Sequence, residues 1–544
     1  MLSRRELLER AAAMAGGAFA LERVPSAWAG AQGPRVAGMN ILVFITDQER
    51  AIQHFPRGWS RRHLPGFTRL QRHGLTFENA FCNACMCSPT RATLLTGYFT
   101  AQHGVKYTLE DDMSGRRFPQ VELPRSFKNV ASVMAAAGYN VVYKGKWHLS
   151  KPAAGDSDSD NWAPSDVGKY GFARWSPPDA GANQDFDQEG GGFHNNDGRF
   201  MNQHGSAAAG TEGALQYLNS AAAHQQPFFM IVSLVNPHDV LFYPSKYRRA
   251  GYNDSWLKGE IGLPATIDES LATKPSAQRQ FLRISQLLGK LDTHQKKRAY
   301  LNFYGNLMKL ADGYLVDVLE TLEAQQLLEN TLVIRTADHG EMGLAHGGMR
   351  QKNFNVYEES LRVPLVYSNP RLWSKPQTSR VMVSHVDFLP TLASLVNAPL
   401  SARARWQGVD YSDHIRSRLA PPPQDYVVFT YDDYQAGQSS KPYVKPPQHI
   451  ISLRERRWKI AEYYEANGKV PSQWEMYDLK RDPLERTNLA HKGYKRTPAQ
   501  EKQYRRLRRK LARVKAQRLR PLPNTPQPQT QGSPSRRAPI SATD

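Results

Sequence analysis

Cysteine is nearly absent from this chain of 544 residues: Cys82, Cys85 and Cys87 are the only three, all within six positions. A disulfide framework is therefore excluded as the basis of the fold, although one local bridge stays open. The Cys-x-x-Cys-x-Cys spacing invites a zinc reading, but no fourth ligand stands at metal spacing nearby. Long apolar runs are also missing. No stretch of eighteen apolar residues occurs, so no membrane-spanning helix is expected. Internal repeats are absent as well. Acids are scarce in one place only: residues 491–520 hold thirteen Lys/Arg against the single Glu501, more than half of the net charge of +21. That placement argues against a nucleic-acid partner for the chain as a whole, since the remainder is only modestly basic.

What is present is enough for one large domain and a smaller one. Ile41–Thr46 is a β-branched apolar run of the kind buried on both faces of a sheet, and Val141–Tyr143, 227–235, Thr331–Thr336 and Val363–Tyr367 repeat it. Between them, Lys128–Ala137, Tyr300–Gln325 and Phe388–Val396 carry helical apolar spacing. Alternation of this kind predicts an α/β fold: a large, mainly parallel sheet flanked by helices. Residues 151–210, rich in Gly, Asp and Asn, read as an inserted loop region over the site, with Trp162, Trp175 and Phe193 as pocket-shaping candidates or plain packing. Pro421–Pro423 marks a boundary. After it, Tyr426–Tyr431, His449–Arg454 and Trp458–Tyr464 predict short antiparallel strands of a small C-terminal α+β subdomain over 421–490. The basic segment 491–520 has few leucines and reads as a solvated helix or a surface-binding arm, the alternative being a helix packed by Tyr504 and Leu507. The Pro/Gln/Ser/Thr-rich tail 521–544 is expected to be disordered. At the other end, Ser3-Arg4-Arg5 followed by an apolar stretch and Ala27-Trp28-Ala29 resembles a twin-arginine export signal over residues 1–29, which implies a periplasmic or extracellular location. The bland alternative is a short amphipathic helix.

The chemistry concentrates where strands end, which is where open α/β sheets bind ligands. Asp47 and Gln48 follow the first apolar run, Asp338 and His339 follow the fourth, Asn236-Pro-His238 the third, and Lys146 and His148 the second. The stretch Cys87-Ser-Pro-Thr-Arg91 adds a helix start: Pro89 suits the first turn, Cys87 sits at its mouth and Arg91 lies four residues on. Free amides and the helix dipole there favour an anion.

These motifs resemble the sulfatase family. Cys87–Gly97 matches its first pattern, Gly138-Tyr139 with Gly145–Leu149 its second, and Asp338–Glu341, Lys352, Tyr357–Ser360 and Arg362–Pro364 match further on. Met476–Leu479, Asp482-Pro483 and Asn488-Leu489 look like its C-terminal subdomain, so the likeness runs over about residues 38–490, with 38–420 as the catalytic domain. The resemblance implies an alkaline-phosphatase-like fold and hydrolysis of small sulfate esters. It implies that a formylglycine-generating enzyme oxidises Cys87 to formylglycine (3-oxoalanine), whose hydrated gem-diol, held on a divalent cation, attacks sulfur. Asp47, Gln48, Asp338 and His339, with the modified Cys87, would be the metal ligands. Arg91 would orient the nucleophile, while Lys146, His238 and Lys352 would hold sulfate oxygens. Either His148 or His238 would act as acid or base, His238 being favoured for protonating the leaving alcohol. Gln48 and His339 depart from the commoner Asp and Asn. They resemble the choline-sulfatase and phosphonate-monoester-hydrolase branch, which admits Mn²⁺ beside Ca²⁺ and a phosphonate or phosphodiester substrate beside sulfate. An inactive domain that docks polyanions through its basic segment is the rival of another class.

Overall fold

A computed structural model of the chain describes residues 35–51, 54–110, 120–152, 162–180, 196–202, 212–436, 441–523 and 525. The export-signal reading, Phe193 and almost all of the tail lie outside the described residues.

The large sheet has seven strands: β1 (Asn40–Thr46), β2 (Gly74–Phe81), β3 (Asn140–Gly145), β4 (Phe228–Ser233), β5 (Thr331–Ala337), β6 (Leu365–Ser368) and β7 (Gln377–Ser384). Their order is β3-β4-β1-β5-β6-β2-β7, with β6 antiparallel to both neighbours and the other pairs parallel. Every residue of β1, β4 and β5 is buried, as their unbroken apolar runs require. Successive β1 side chains go to opposite faces. Ile41, Val43 and Ile45 enter a core shared with α1 (Cys87–Thr96) and α4 (Phe388–Leu395), while Leu42 and Phe44 pack with the long α3 (His294–Ala324). A shorter helix, α2 (Ser276–Ile284), lies between sheet and small subdomain, where Gln278 bonds Tyr463 and Glu475. Trp162 and Trp175 pack edge to face, 5.6 Å between centroids, inside the main core, so the alternative of plain packing holds for both.

The second sheet is antiparallel, ordered β11-β10-β9-β8, from β8 (Tyr426–Tyr431), β9 (His449–Glu455), β10 (Trp458–Tyr464) and β11 (Gln473–Asp478). One face, with Phe429, Ile450 and Tyr463, joins the main core. The other, with Val428, Ile451, Leu453, Ile460 and Met476, is covered by α5 (Pro498–Arg518) through Leu507, Leu511 and Val514. This corrects the reading of 491–520 as a solvated arm. The apolar residues are few, but i, i+4, i+7 spacing puts all three on one stripe, and spacing rather than number decides packing. Thr497 caps the helix and Pro498 opens it. Its cations lie along the sheet's rim: Arg506 forks onto Glu455, Lys510 reaches Asp425, and the Arg508 guanidinium lies 4.4 Å from the Trp474 ring centroid.

A buried ionic seam joins the two units. Glu358 takes Arg454 at 3.1 Å and Lys459 at 2.8 Å, and Lys459 also reaches Glu485 at 2.7 Å. Next to it His346 stacks on Tyr357 and donates to Glu269 at 2.7 Å, with Glu359 at 3.7 Å. Burial opposes the charged imidazole, but the two carboxylates outweigh it and raise its pKa to about 9.

Two outcomes are expected. Leu511→Ala should cost about 2–4 kcal/mol in urea unfolding, while Arg513→Ala on the open face should stay within about 0.5 kcal/mol. Because the folded His346 pKa lies above its unfolded value near 6.5, its contribution is complete below that pH and lost as pH rises through about 9. Unfolding free energy measured from pH 6 to pH 10 should therefore fall over that window, and the fall should shrink in His346→Gln.

Candidate active site

Four strand ends and one helix mouth converge. Asp47 and Gln48 leave β1, Asp338 and His339 leave β5, Lys146 and His148 leave β3, and His238 follows β4, while Cys87 opens α1 and Lys352 enters from a loop. Along with Arg91 on α1, all of these side chains are buried. Gly145 makes the β3 end possible: a Cβ there would stand 1.9 Å from the Ser233 carbonyl oxygen, and its φ is +108°. The close approach lets the Lys146 amide bond Ser233 O at 2.9 Å and turns Lys146 inward. Gln48 and His148 both hold positive φ, at 66° and 57°, a strained state for side-chain-bearing residues that the surroundings impose.

Cys87 Sγ lies 3.4 Å from His339 Nε2 and 3.7 Å from Asp47 Oδ1. The donor atoms of Asp47, Cys87, Asp338 and His339 all fall within 4.8 Å of one another, the requirement for four groups to share one cation. Two carboxylates, an imidazole and a thiol together make a donor set for a divalent metal ion. Gln48, the other residue expected at the metal, follows Asp47 at the end of β1 and is buried with it. Its Oε1 accepts from Lys352 Nζ at 2.6 Å, and its Nε2 donates to Glu341 Oε2 at 2.6 Å.

Arg91 holds the carboxylates together, with Nη2 at 3.2 Å from Asp47 Oδ2 and 3.1 Å from Asp338 Oδ2. Its Nε also donates to Asp338 Oδ2 at 3.2 Å, and its Nη1 donates to Lys146 O and Ser233 Oγ. Lys146 Nζ adds a 2.6 Å ion pair to Asp47. Burial alone would raise the Asp47 pKa, but Lys146, His238 and Arg91 pull it well below the usual carboxylate range. Asp338 goes the other way, up to about 7, through burial and the neighbouring Asp47 charge. The Cys87 thiol is pushed up to about 12 by burial and then by Asp47, so it is protonated at neutral pH. Burial, aided by nearby Lys146, keeps His148 and His238 neutral. His148 Nε2 lies 2.5 Å from the Leu109 carbonyl and donates to it, which leaves Nδ1 an acceptor with no hydrogen-bond partner among the described residues. His238 Nδ1 is likewise buried without one.

Three supporting residues escaped the sequence reading. Glu341 was visible in its motif but carried no role; it takes Gln48, Tyr300 OH at 2.7 Å and the Gln351 amide at 2.9 Å. Asp179 accepts from the amides of Trp147 and His148, and Asp197 does the same for Val235 and Asn236. Both sit in the polar insert, where nothing in the local pattern sets them apart from other loop acids.

The family model described as Sulfatase matches residues 39–398, about two thirds of the chain. The chain belongs to the sulfatase family. Its class is the sulfuric ester hydrolases, as the motifs implied. A second model, described as N-sulphoglucosamine sulphohydrolase, C-terminal, matches residues 346–517 and so takes in the small sheet and nearly all of α5. Among similar proteins, a Delta 4,5-hexuronate-2-O-sulfatase of Bacteroides thetaiotaomicron is 26% identical over 426 residues, covering 77% of each chain. A choline-sulfatase of Rhizobium meliloti is 25% identical, covering 83% of this chain and 82% of its own. The phosphonate monoester hydrolase of Agrobacterium radiobacter superposes with a TM-score of 0.62 at 20% identity, over 88% of this chain and 96% of the other, which establishes the shared fold.

Glu341 orients Gln48 and Lys352 without facing the cavity, so Glu341→Gln should weaken metal binding about 10- to 100-fold, as loss of a supporting partner commonly does. Calorimetric titration of the two forms with Mn²⁺ would check this, and equal affinities would remove Glu341 from the site.

Proposed function

We propose that this sulfatase-family chain hydrolyses sulfate monoesters, with residue 87 converted to formylglycine as the nucleophile-bearing group. One observation carries the reading: Cys87 is buried at the mouth of α1 against Asp47 and His339, with its thiol pushed up to about 12. A thiol held protonated there is a poor nucleophile, so the position suits a residue whose reactive group is not sulfur. Formylglycine supplies a hydrated aldehyde at that place. A divalent cation would be held by Asp47, Asp338 and His339, with Gln48 adjoining them, and would supply Lewis-acid polarisation at that place.

The chain's own residues do the rest. Arg91 neutralises the paired carboxylates so that an anionic ester is not repelled. Lys146 and Lys352 present ammonium groups to the sulfonyl oxygens, where donors act best on charge that grows in the transition state. His238, on the cavity wall, would protonate the ester oxygen as the sulfur–oxygen bond breaks, once the anionic ester beside it has made the imidazolium form favourable. His148 Nδ1, a bare acceptor, takes the proton that must leave when sulfate is released. Since Cys87 is almost wholly buried, a formylglycine-generating enzyme reaches it only before the chain closes around it. The twin-arginine pattern in residues 1–29 supports export of the closed protein.

A phosphonate monoester hydrolase with the same site is the second reading, favoured by the Gln48 and His339 pairing and by the fold shared with such an enzyme. Cys87→Ala should leave less than about a hundredth of wild-type turnover with the fold retained. Mass spectrometry of the Cys87 peptide should show loss of the thiol and gain of an aldehyde. Rates on a sulfate and a phosphonate monoester of one alcohol then choose between the readings: faster phosphonate turnover would overturn the first.

A further inference from the structure

The catalytic residues open into a cavity of about 250 Å³ whose described walls include Cys87, His148, His238 and Lys352. Five large apolar side chains line the same cavity. Leu241 comes from the turn after β4, and Phe281, Ile284, Leu287 and Leu288 come from the end of α2 and the turn that follows. Leu287 is 68% exposed, an unusual position for a leucine in a protein that buries most of its large apolar side chains.

Several polar side chains on the same described walls are engaged. Thr108 Oγ1 donates to Asp433 at 2.9 Å, Ser245 Oγ to Leu288 O at 2.9 Å and Ser285 Oγ to Leu282 O at 2.9 Å. Asn353 Nδ2 is spent on Met86 Sδ and Tyr431 OH, and Glu110 and Lys246 have partners too. Outside the catalytic set, the buried side-chain donor left without a partner on the described walls is Gln351 Nε2. Gln351 adjoins Lys352 and is held at a φ of 66°. A sugar ring would need several free donors and acceptors among these apolar side chains, where desolvated hydroxyls without partners are costly. An aliphatic or aryl group would need none.

We propose that the Leu241–Phe281–Ile284–Leu287–Leu288 wall is a subsite for an apolar leaving group, so that the substrates are alkyl or aryl sulfate monoesters rather than sugar sulfates. This rests on the sulfate-ester reading above, and the two are separable because the subsite is read by binding and the reading by turnover.

Binding of ethyl, butyl and hexyl sulfate to the full-length protein, followed by calorimetry, should tighten about three- to fourfold per added methylene, the value of a buried CH₂. The kcat/KM of the formylglycine-bearing enzyme should follow the same slope. The three esters have closely similar leaving groups, so reactivity does not confound the series. Leu287→Ser, at an exposed position that the fold does not need, should cut the hexyl-to-ethyl affinity ratio at least about fivefold, and Leu241→Ser should act in the same direction. A flat series, or tighter binding of glucose 6-sulfate than of hexyl sulfate, overturns the subsite even if sulfates are hydrolysed. A steep series without sulfate turnover leaves the subsite standing and overturns the sulfatase reading instead.

Discussion

Two buried carboxylates within reach of one cation repel each other in a medium that screens poorly, and the whole site depends on what restrains them. Arg91 is that restraint. Its planar fork touches Asp47 and Asp338 at once, and its remaining nitrogen is pinned by Lys146 O and Ser233 Oγ. The same side chain thus ties together the ends of β1, β3, β4 and β5 and the first turn of α1. A lysine could offer charge at that spot but not the geometry, because a single ammonium cannot span two carboxylates and two strand ends together.

That restraint works only because a second layer holds the backbone in costly shapes. Gln48 and His148 sit at positive φ, and each has acidic support: Asp338 takes the Gln48 amide at 3.0 Å and Asp179 the His148 amide at 2.6 Å. Glu341 then fixes the Gln48 side chain, which in turn receives Lys352. Asp179 and Glu341 place residues of the site without joining the metal-capable group, whereas Asp338 does both.

The small subdomain is part of this arrangement rather than an appendage. Glu358 belongs to the segment that follows Lys352, yet its partners Arg454 and Lys459 lie on β9 and β10. Lys459 Nζ also donates to the Val356 carbonyl at 2.7 Å. The loop that delivers Lys352 is thereby anchored to the second sheet, and α5 in turn covers that sheet's outer face. A stretch as basic as 491–520 is kept folded against the body because its apolar stripe is buried while its cations lie over acidic and aromatic rim residues.

Much of this was legible in the residues alone. Unbroken apolar runs announce β1, β4 and β5, since a strand covered on both faces has no polar side to show. The residues that follow those runs and the shorter β3, namely Asp47, His238, Asp338 and Lys146, were readable as a candidate site because parallel strands all deliver their ends to one edge. β2 and β7 were not readable: Glu78 and Asn79 interrupt the one and Gln377–Arg380 the other, and both reach solvent on part of their length. Nor were the roles of Asp179, Asp197, Glu341 and Gln351, which depend on distances between segments far apart in the chain. Sequence by itself determined the α/β alternation and the family and pointed to a candidate set of site residues, because these follow from local pattern and motif spacing. Tertiary structure alone decided that α5 is packed, that Arg91 spans two carboxylates and that five large apolar side chains line the cavity, because each is a relation across space that no local pattern encodes.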